Sequence, residues 1–280
     1  VDHYMEQVAP LVEMDHWTYD DRHEKIGKYA AQLIDDGSII QASMGNSPQS
    51  VVNALTNHKD LGIHTGCFTN AMMRLVKAGA VTNATKSKEQ GISIGSHCIG
   101  CKELYDFVAQ SNDIQMMGSE WSNDPMRIAR HKKMVAINGA SEVDLTGQVV
   151  RDSKGHHFYG GMGATQDFIR GAAHSDGGRP IITLTSQTDD GLNSRIVTGL
   201  APGSGVCTSR GDTHYVVTEY GIANLVGKSI RQRVLQLVEV AHPNDREHLL
   251  EGALLQGWIP KSYNIPYREA VEVGEDIHSR

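Results

Sequence analysis

A group of glycines between residues 160 and 163 is the first feature of this sequence that could support chemistry. Gly160, Gly161 and Gly163 are followed directly by Ala164. Glycines allow positive φ and close backbone approach, so successive amide groups can converge on an anion or on a carbonyl oxygen. The same pattern is also typical of a plain tight turn. The spacing therefore predicts either an anion-binding loop or a turn without a ligand.

Two cysteines three residues apart form a second candidate site. Cys98 and Cys101 lie at an expected strand-to-helix junction. The N-terminus of a helix lowers the pKa of a nearby thiol, which favours redox or metal chemistry. One such pair supplies only half of a tetrahedral zinc site, although His64, Cys67 and His97 could approach it in space. The alternative is that the cysteines are inert small residues filling the end of a strand.

Polar turns supply further candidate binding side chains. Asn123 lies in a Ser-Asn-Asp-Pro segment, which is typical of a turn ahead of a helix. Glu219 follows an expected strand and could orient a catalytic group, although a structural ion pair with Arg210 is the simpler interpretation. Asn138 and Glu142 lie at the end of another strand, either as ligand contacts or as buried polar groups that shape the sheet.

The elements that must position these residues alternate between short strands and helices. Apolar spacing predicts strands near residues 38–43, 62–65, 92–97, 134–138, 148–151, 181–184, 195–198 and 214–217. It predicts helices near residues 22–34, 48–55, 70–77, 102–110, 126–131 and 229–240, the last ending before His242-Pro243. This alternation is typical of an α/β layered domain with a largely parallel sheet and flanking helices.

The two ends of the chain differ from its middle. Residues 1–20 resemble an extended leader or interdomain linker, because Pro10 and several acidic residues interrupt any apolar period. Residues 261–280 contain Pro266 and many charges, which predicts either a frayed tail or a linker to a further domain. A single domain over residues 21–260 is expected between them.

The composition is that of an ordinary globular protein, with 39% hydrophobic and 21% charged residues. A net charge of −7 argues against a general binder of nucleic acid or anionic membranes. No apolar run approaches the roughly 20 residues that span a bilayer. The first residues lack the features of a secretory signal, so we expect a cytoplasmic protein whose four cysteines are reduced.

Three segments, in this order, closely resemble the C-terminal half of the acetyl-CoA hydrolase/4-hydroxybutyrate CoA-transferase family. They cover residues 135–147, 159–168 and 209–221. The resemblance extends from about Ile26 to Trp258 and implies that residues 21–260 form a layered α/β CoA-transferase-like C-terminal domain. It also implies transfer of CoA between an acyl-CoA and a carboxylate such as acetate, with coenzyme A as substrate and no permanently bound cofactor. Relatives build their active site between this half and an N-terminal half, and a homo-oligomer is expected.

The resemblance gives roles to several of the candidate residues. Gly161, Gly163, Asp167 and Phe168 match a loop that lines the CoA thioester and offers backbone N–H groups to the developing oxyanion. Ala164 stands where the family usually has glycine. It keeps its N–H group, but its methyl group leaves less room for the thioester. The resemblance also places Asn123 near the acyl group and includes Asn138 and Glu219 among the segments that match.

Gly66 is the most consequential departure from the family. Relatives carry their acyl-accepting glutamate in a segment resembling Leu-Gly-Ile-His-Thr-Glu-Met-Phe, and this chain has glycine at that place between Leu61 and Phe68. Glycine has no side chain, so no glutamyl-CoA intermediate can form there. Cys67 is the nearest substitute, but strand alternation would direct it to the opposite face. The chain is thus predicted to bind acyl-CoA with the usual transfer blocked; a water-using hydrolase or a CoA-responsive regulatory domain are the alternatives.

Overall fold

The computed structural model describes residues 3–6, 9–14 and 17–263. Its strands are short and lie at β1 Ile39–Ala42, β2 Gly62–Ile63, β3 Cys67–Thr69, β4 Ser93–Gly95, β5 His97–Ile99, β6 Ile114–Met116, β7 Met134–Gly139, β8 Glu142–Asp144, β9 Val149–Val150, β10 Ser153–Lys154, β11 His157–Phe158, β12 Arg179–Thr183, β13 Ile196–Val197, β14 Tyr215–Thr218 and β15 Gly221–Asn224. The helices lie at α1 Asp21–Ala31, α2 Asn46–Ala54, α3 Asn70–Lys77, α4 Lys102–Gln110, α5 Ser119–Ser122, α6 Pro125–Ile128, α7 Thr165–His174, α8 Ile230–Glu239 and α9 Pro243–Leu255.

A six-stranded sheet organises the domain, with strand order β15-β14-β12-β7-β1-β2. Every pairing in this sheet is parallel except the pairing of β14 with β15. Parallel strands need long crossover connections, which is why helices separate them along the chain. The predicted α/β layered fold with a largely parallel sheet is confirmed.

Both faces of the sheet are covered by apolar side chains. Along β7, Met134 and Ala136 face one hydrophobic cluster, whereas Val135 and Ile137 face the other. The first cluster is completed by α7, α8 and α9, and the second by α1, α2 and α3. Burial on both faces explains the nearly continuous apolar runs of the central strands.

Most of the predicted strands and helices are present, but α7 has no counterpart among the predicted helices. The helices α3 and α4 begin and end at the predicted residues. The segment predicted as one strand over residues 92–97 is instead part of two strands, β4 and β5, with different partners. The helix predicted near residues 229–240 is present as α8 and ends before His242-Pro243, but the expectation that it is the last helix is wrong, because α9 follows it. Pro243 occupies the first helical turn, where its missing N–H group is tolerated, so it begins a helix here.

The described part of the N-terminal segment contacts the domain near α4. The Met14 N–H group donates to the Gly100 carbonyl at 3.1 Å, and the Lys102 N–H group donates to the Glu13 carboxylate at 2.8 Å. The expected C-terminal tail falls largely on residues 264–280, which lie outside the described residues. No helix of the described ranges is long and apolar enough to cross a membrane.

Candidate functional site

Three adjacent cavities lie at the edge of the sheet where the parallel strands β1, β7 and β12 end. We name them the glycine cavity (about 310 Å³, containing Gly66 and Ala164), the turn cavity (about 340 Å³, containing the turn at residues 44–48) and the outer cavity (about 450 Å³, containing Glu142 and Lys154). Neighbouring cavities share lining residues. The carboxyl edge of a parallel sheet is where ligands bind in this class of fold.

Gly66 lies against the residues that the sequence placed at the same site. A Cβ atom at Gly66 would lie 3.5 Å from Asn123 Oδ1, 3.6 Å from Phe168 Cε2 and 3.9 Å from Ala164 Cβ. These are ordinary van der Waals separations, and the backbone of Gly66 is not in the left-handed region. Neither sterics nor backbone conformation therefore requires glycine at this position.

The glycine-rich loop reaches this cavity through its last residues. Gly163, at φ +56°, and Ala164 line the glycine cavity directly before α7. Ala164 is the N-cap of α7, whose first N–H groups have no partner within the helix. The Phe168 ring, fully buried, anchors this end of α7. Gly160 and Gly161 are exposed and are not among the residues that line the three cavities.

The two predicted asparagines both line the glycine cavity but differ in how they are bonded. The Asn138 amide is paired reciprocally with Gln41 on the neighbouring strand β1, at 3.1 and 3.4 Å. Asn123 accepts one bond at Oδ1, from the Ser122 hydroxyl at 2.9 Å. Asn138 therefore has a structural role as a buried polar group of the sheet, whereas Asn123 directs its Oδ1 atom toward the space at Gly66.

Cys67 and Gly66 both line the glycine cavity, so the expected change of face along the strand is no argument against Cys67. The alternation argument fails because β3 begins at Cys67 and Gly66 lies before it. Burial, with a smaller contribution from the nearby Cys98, raises the pKa of the Cys67 thiol to about 12. A thiol with this pKa is protonated at neutral pH and is a poor nucleophile.

A buried pair of histidines supports the residues beside Gly66. His64 Nε2 donates to the Ser122 carbonyl at 2.7 Å, which fixes its tautomer, so His64 Nδ1 accepts from His131 Nε2 at 3.1 Å. Burial lowers the pKa of His64 to about 4 and that of His131 to about 3. Both rings are therefore neutral at pH 7, and they hold the carbonyl directly before Asn123.

Arg151 is a cation at the junction of the glycine and turn cavities. One guanidinium nitrogen donates to the Thr165 hydroxyl at 2.7 Å, directly after Ala164. No Asp or Glu of the described ranges lies within ion-pair distance of this guanidinium. Burial lowers the pKa of Arg151, which is the direction expected for a cation without a counter-ion.

Further cations follow along the other two cavities. Arg195 lines both the turn cavity and the outer cavity, and its buried Nε atom has no partner among the described residues. Its guanidinium approaches the exposed Asp189 at 3.9 Å. Lys154 lines the outer cavity together with Glu142, whose carboxylate accepts from the Ala201 N–H group at 3.3 Å. This edge of an acidic protein thus carries local positive charge.

Glu219 does not form the expected ion pair with Arg210. Its carboxylate accepts from the N–H group and the hydroxyl of Ser186, at 2.9 and 2.7 Å. Strand β14 separates the two residues, since Arg210 precedes it and Glu219 follows it, and four residues of strand extend about 13 Å. Glu219 is not among the residues lining the three cavities, so its role in binding CoA stays a prediction.

The site at Cys98 and Cys101 lacks a lowered pKa of the Cys98 thiol and, among the described residues, a group of side chains placed to hold a metal ion. Burial raises the pKa of Cys98, opposite to the lowering expected at a helix N-terminus. Cys101 is the N-cap of α4, but its side chain does not cap the helix. The described residues contain no group of three or more His, Cys, Asp or Glu side chains placed to hold a metal ion.

Three parts of the site were missed by the sequence analysis. The turn at residues 44–48 is not among the predicted site residues, yet all five of its residues line the turn cavity. Arg151 directly follows the buried strand β9, and a lone charge after an apolar strand was a usable signal. The contact of His64 with His131 had no such signal, because 67 residues separate them.

Comparison with known proteins agrees with this geometry. Residues 100–253 match the model of the acetyl-CoA hydrolase/transferase C-terminal domain. A succinyl-CoA:acetate/propanoyl-CoA:succinate CoA transferase of Fasciola hepatica is 43% identical over 247 residues, covering 87% of this chain and 52% of the relative. RipA from Yersinia pestis superimposes with a TM-score of 0.86 at 35% identity, covering 90% of this chain and 57% of that one.

A second solved structure is also similar to this chain in fold. The 4-hydroxybutyrate CoA-transferase of Porphyromonas gingivalis superimposes with a TM-score of 0.78 at 36% identity, covering 89% of this chain and 58% of that one. The chain spans about half the length of the relatives that it matches. The matched model, the relatives and the edge-of-sheet cavities lead to one assignment: the chain belongs to the acetyl-CoA hydrolase/transferase family.

Proposed function

We propose that this chain is an acyl-CoA-binding domain that places the thioester in the glycine cavity and the anionic remainder of CoA along the turn and outer cavities. The observation that carries the proposal is that Asn123 and Ala164 both lie within 4 Å of the place where a Cβ atom at Gly66 would lie. It brings together three positions that relatives are expected to use around the thioester. Two of the relatives named above are CoA transferases by name, one for succinyl-CoA and acetate and one for 4-hydroxybutyrate, which supports the same substrate class for this chain.

The charges along the cavities favour an anionic ligand of this length. Arg151 lies where the glycine and turn cavities meet, and Arg195 lies where the turn and outer cavities meet. Among the described residues, no carboxylate lies within ion-pair distance of Arg151, and the one nearest to Arg195, that of Asp189, is 3.9 Å away. Arginine binds phosphate groups through paired N–H donors. The order of the cavities therefore suits a ligand with a neutral acyl end and a phosphorylated tail.

The site favours binding of acyl-CoA without turnover through an enzyme glutamate. Gly66 offers no carboxylate to accept the CoA thiol, and the Cys67 thiol is protonated at neutral pH. A CoA-responsive regulatory role is the second candidate, and these same two residues favour it. Release of free CoA by a bound water would instead identify a hydrolase.

The binding proposal is tested by titrating the purified chain with acetyl-CoA in a calorimeter while free thiol is measured in parallel. We expect saturable binding that Arg195→Gln weakens by roughly 10-fold or more, because a charge-assisted hydrogen bond contributes about 1.5–3 kcal/mol. Arg231→Gln, the same change at an exposed position of α8, is the control and should bind as the wild type does.

Absence of saturable binding, or equal weakening by both substitutions, would reject the proposal. Binding accompanied by no release of thiol favours the regulatory role. Binding accompanied by steady release of thiol, without an added carboxylate, favours a hydrolase.

A further inference from the structure

His64 joins the segment that carries Gly66 to the helices α5 and α7. Its Nε2 atom donates to the Ser122 carbonyl at 2.7 Å, at the end of α5. Its ring stacks with Trp121 of the same helix, with ring centroids 6.1 Å apart, and meets the Phe168 ring of α7 edge-on at 6.2 Å. The orientation of this one imidazole therefore affects two walls of the glycine cavity.

The bond from His64 to Ser122 is passed on to Asn123, which lines the cavity. Ser122 is fully buried, and its hydroxyl donates to Asn123 Oδ1 at 2.9 Å. The same Oδ1 atom lies 3.5 Å from the place where a Cβ atom at Gly66 would lie. Two bonds in series therefore connect the His64 ring to a polar atom of the cavity wall.

His131 determines which nitrogen of His64 carries the proton. In a neutral imidazole one nitrogen is a donor and the other an acceptor. His131 Nε2 lies 3.1 Å from His64 Nδ1, whereas His131 Nδ1 is buried without a partner among the described residues. The His131 carbonyl accepts from the Ser175 hydroxyl at 2.6 Å, which fixes its backbone. Donation from His131 makes His64 Nδ1 an acceptor and leaves the His64 proton on Nε2, facing the Ser122 carbonyl.

The charges around the two rings oppose a second proton on either of them. Burial, followed by the cations Lys86 and Arg127, lowers the pKa of His64. Burial, followed by the neighbouring His64 and by Lys86, lowers the pKa of His131. Both rings are therefore neutral at pH 7, and each has one donor nitrogen.

We propose that His131 is a positioning residue of the glycine cavity: it fixes the Nε2–H tautomer of His64, which then holds Ser122 and Asn123 beside the space at Gly66. Neither histidine is among the residues that line the three cavities, so each acts through its neighbours. The effect on a ligand rests on the proposed function, because that ligand is the acyl-CoA named there.

The tautomer is measured without ligand, by long-range proton–nitrogen NMR of the chain labelled with nitrogen-15. We expect the His64 proton on Nε2 in the wild type and in His131→Gln, because the amide nitrogen of Gln stands where Nε2 of histidine does. His131→Asn carries the same amide one methylene shorter and does not reach His64. It should lose the single tautomer and shift the side-chain amide signal of Asn123, whereas His248→Asn, at an exposed position of α9, should change neither.

Titration with acetyl-CoA measures the consequence for binding. We expect His131→Asn to weaken binding by roughly 10-fold and His131→Gln by less than about threefold, because only the shorter side chain leaves a buried acceptor unpaired. When Asn123→Ala is already present, His131→Asn should cause no further loss, since the two residues act in series.

A wild-type His64 with its proton on Nδ1 would overturn the proposal. So would identical His64 and Asn123 signals in the His131→Asn and His131→Gln proteins, or losses of affinity that add when His131→Asn and Asn123→Ala are combined. Failure of the wild type to bind acetyl-CoA would reject the proposed function alone, because the NMR comparison decides the role of His131 without any ligand.

Discussion

At position 66, the surrounding residues leave room for a Cβ atom that glycine does not have. The neighbours of Gly66 stand at van der Waals distance from the place where a Cβ atom would lie. Other glycines of this chain are there because nothing larger fits: a Cβ at Gly178 would lie 1.9 Å from the Ala172 carbonyl oxygen. The packing of the fold therefore requires glycine at position 178 but not at position 66.

This difference predicts opposite effects of the same substitution. Gly66→Ala should leave the free energy of unfolding unchanged or raise it by about 0.4–1 kcal/mol, because it only restricts the unfolded chain. Gly178→Ala should lower it by roughly 1–3 kcal/mol, since the new methyl group overlaps backbone that must shift. Urea unfolding of the two variants checks this. A loss at Gly66 as large as the loss at Gly178 would show that the cavity is not preformed.

The buried histidines His64 and His131 make the stability of the fold depend on pH. In the folded state the pKa values of His64 and His131 are about 4 and about 3, whereas an unfolded histidine titrates near 6.5. Below pH 6.5 the unfolded chain therefore binds more protons than the folded chain. The contribution of each ring is fully present above this pH and is lost as the pH falls toward the folded pKa.

We therefore expect the free energy of unfolding to fall by about 2 kcal/mol per buried ring between pH 7 and pH 5. His131→Gln keeps a donor for His64 but removes one titrating ring, so this fall should be smaller. His248→Gln, at an exposed position of α9, should show the wild-type fall. The measurement is urea unfolding at the two pH values, and identical behaviour of both variants would contradict the low pKa of His131.

At the scale of elements, α9 is a helix that the apolar pattern of the sequence did not predict. Its apolar residues do not keep one clear helical stripe, because Leu249 and Leu250 are adjacent and both are buried, whereas Leu255 is 87% exposed. A proline after a helical pattern predicts the end of a helix, but proline is also common in a first turn, and Pro243 lies in the first turn of α9. The helix packs against α8 and completes the hydrophobic cluster that α7 also enters.

Two leucines of α9 give a matched test of this packing. Leu250→Ala should lower the free energy of unfolding by roughly 2–5 kcal/mol, because it leaves a cavity in the core. Leu255→Ala, on the same helix, should change it by less than about 0.5 kcal/mol. Chemical denaturation monitored by circular dichroism measures both. Similar effects at the two positions would show that α9 is not docked as described.

At the scale of the whole molecule, one sheet joins the two hydrophobic clusters and carries the site on its carboxyl edge. Residues that alternate along β7 and β12 face opposite clusters, so the helices on either side depend on the same strands. The site residues lie on loops that follow other strands, with Gly66 after β2 and Arg151 after β9, and at the start of α7, where backbone N–H groups have no partner within the helix. Packing on both faces therefore fixes the relative positions of Gly66, Arg151 and Ala164.

The sequence by itself determined the fold class and which segments surround Gly66. Apolar periodicity is a local property, so it located the central strands and most helices, and the motif resemblance predicts that Gly66 stands where relatives carry a glutamate. It did not determine the partners of individual side chains. The assignment of Glu219 to Ser186, the pairing of His64 with His131 and the unpaired charge of Arg151 were decided by the tertiary structure. These contacts join residues distant in the chain, and burial, which sets their pKa values, exists only after the strands and helices have packed.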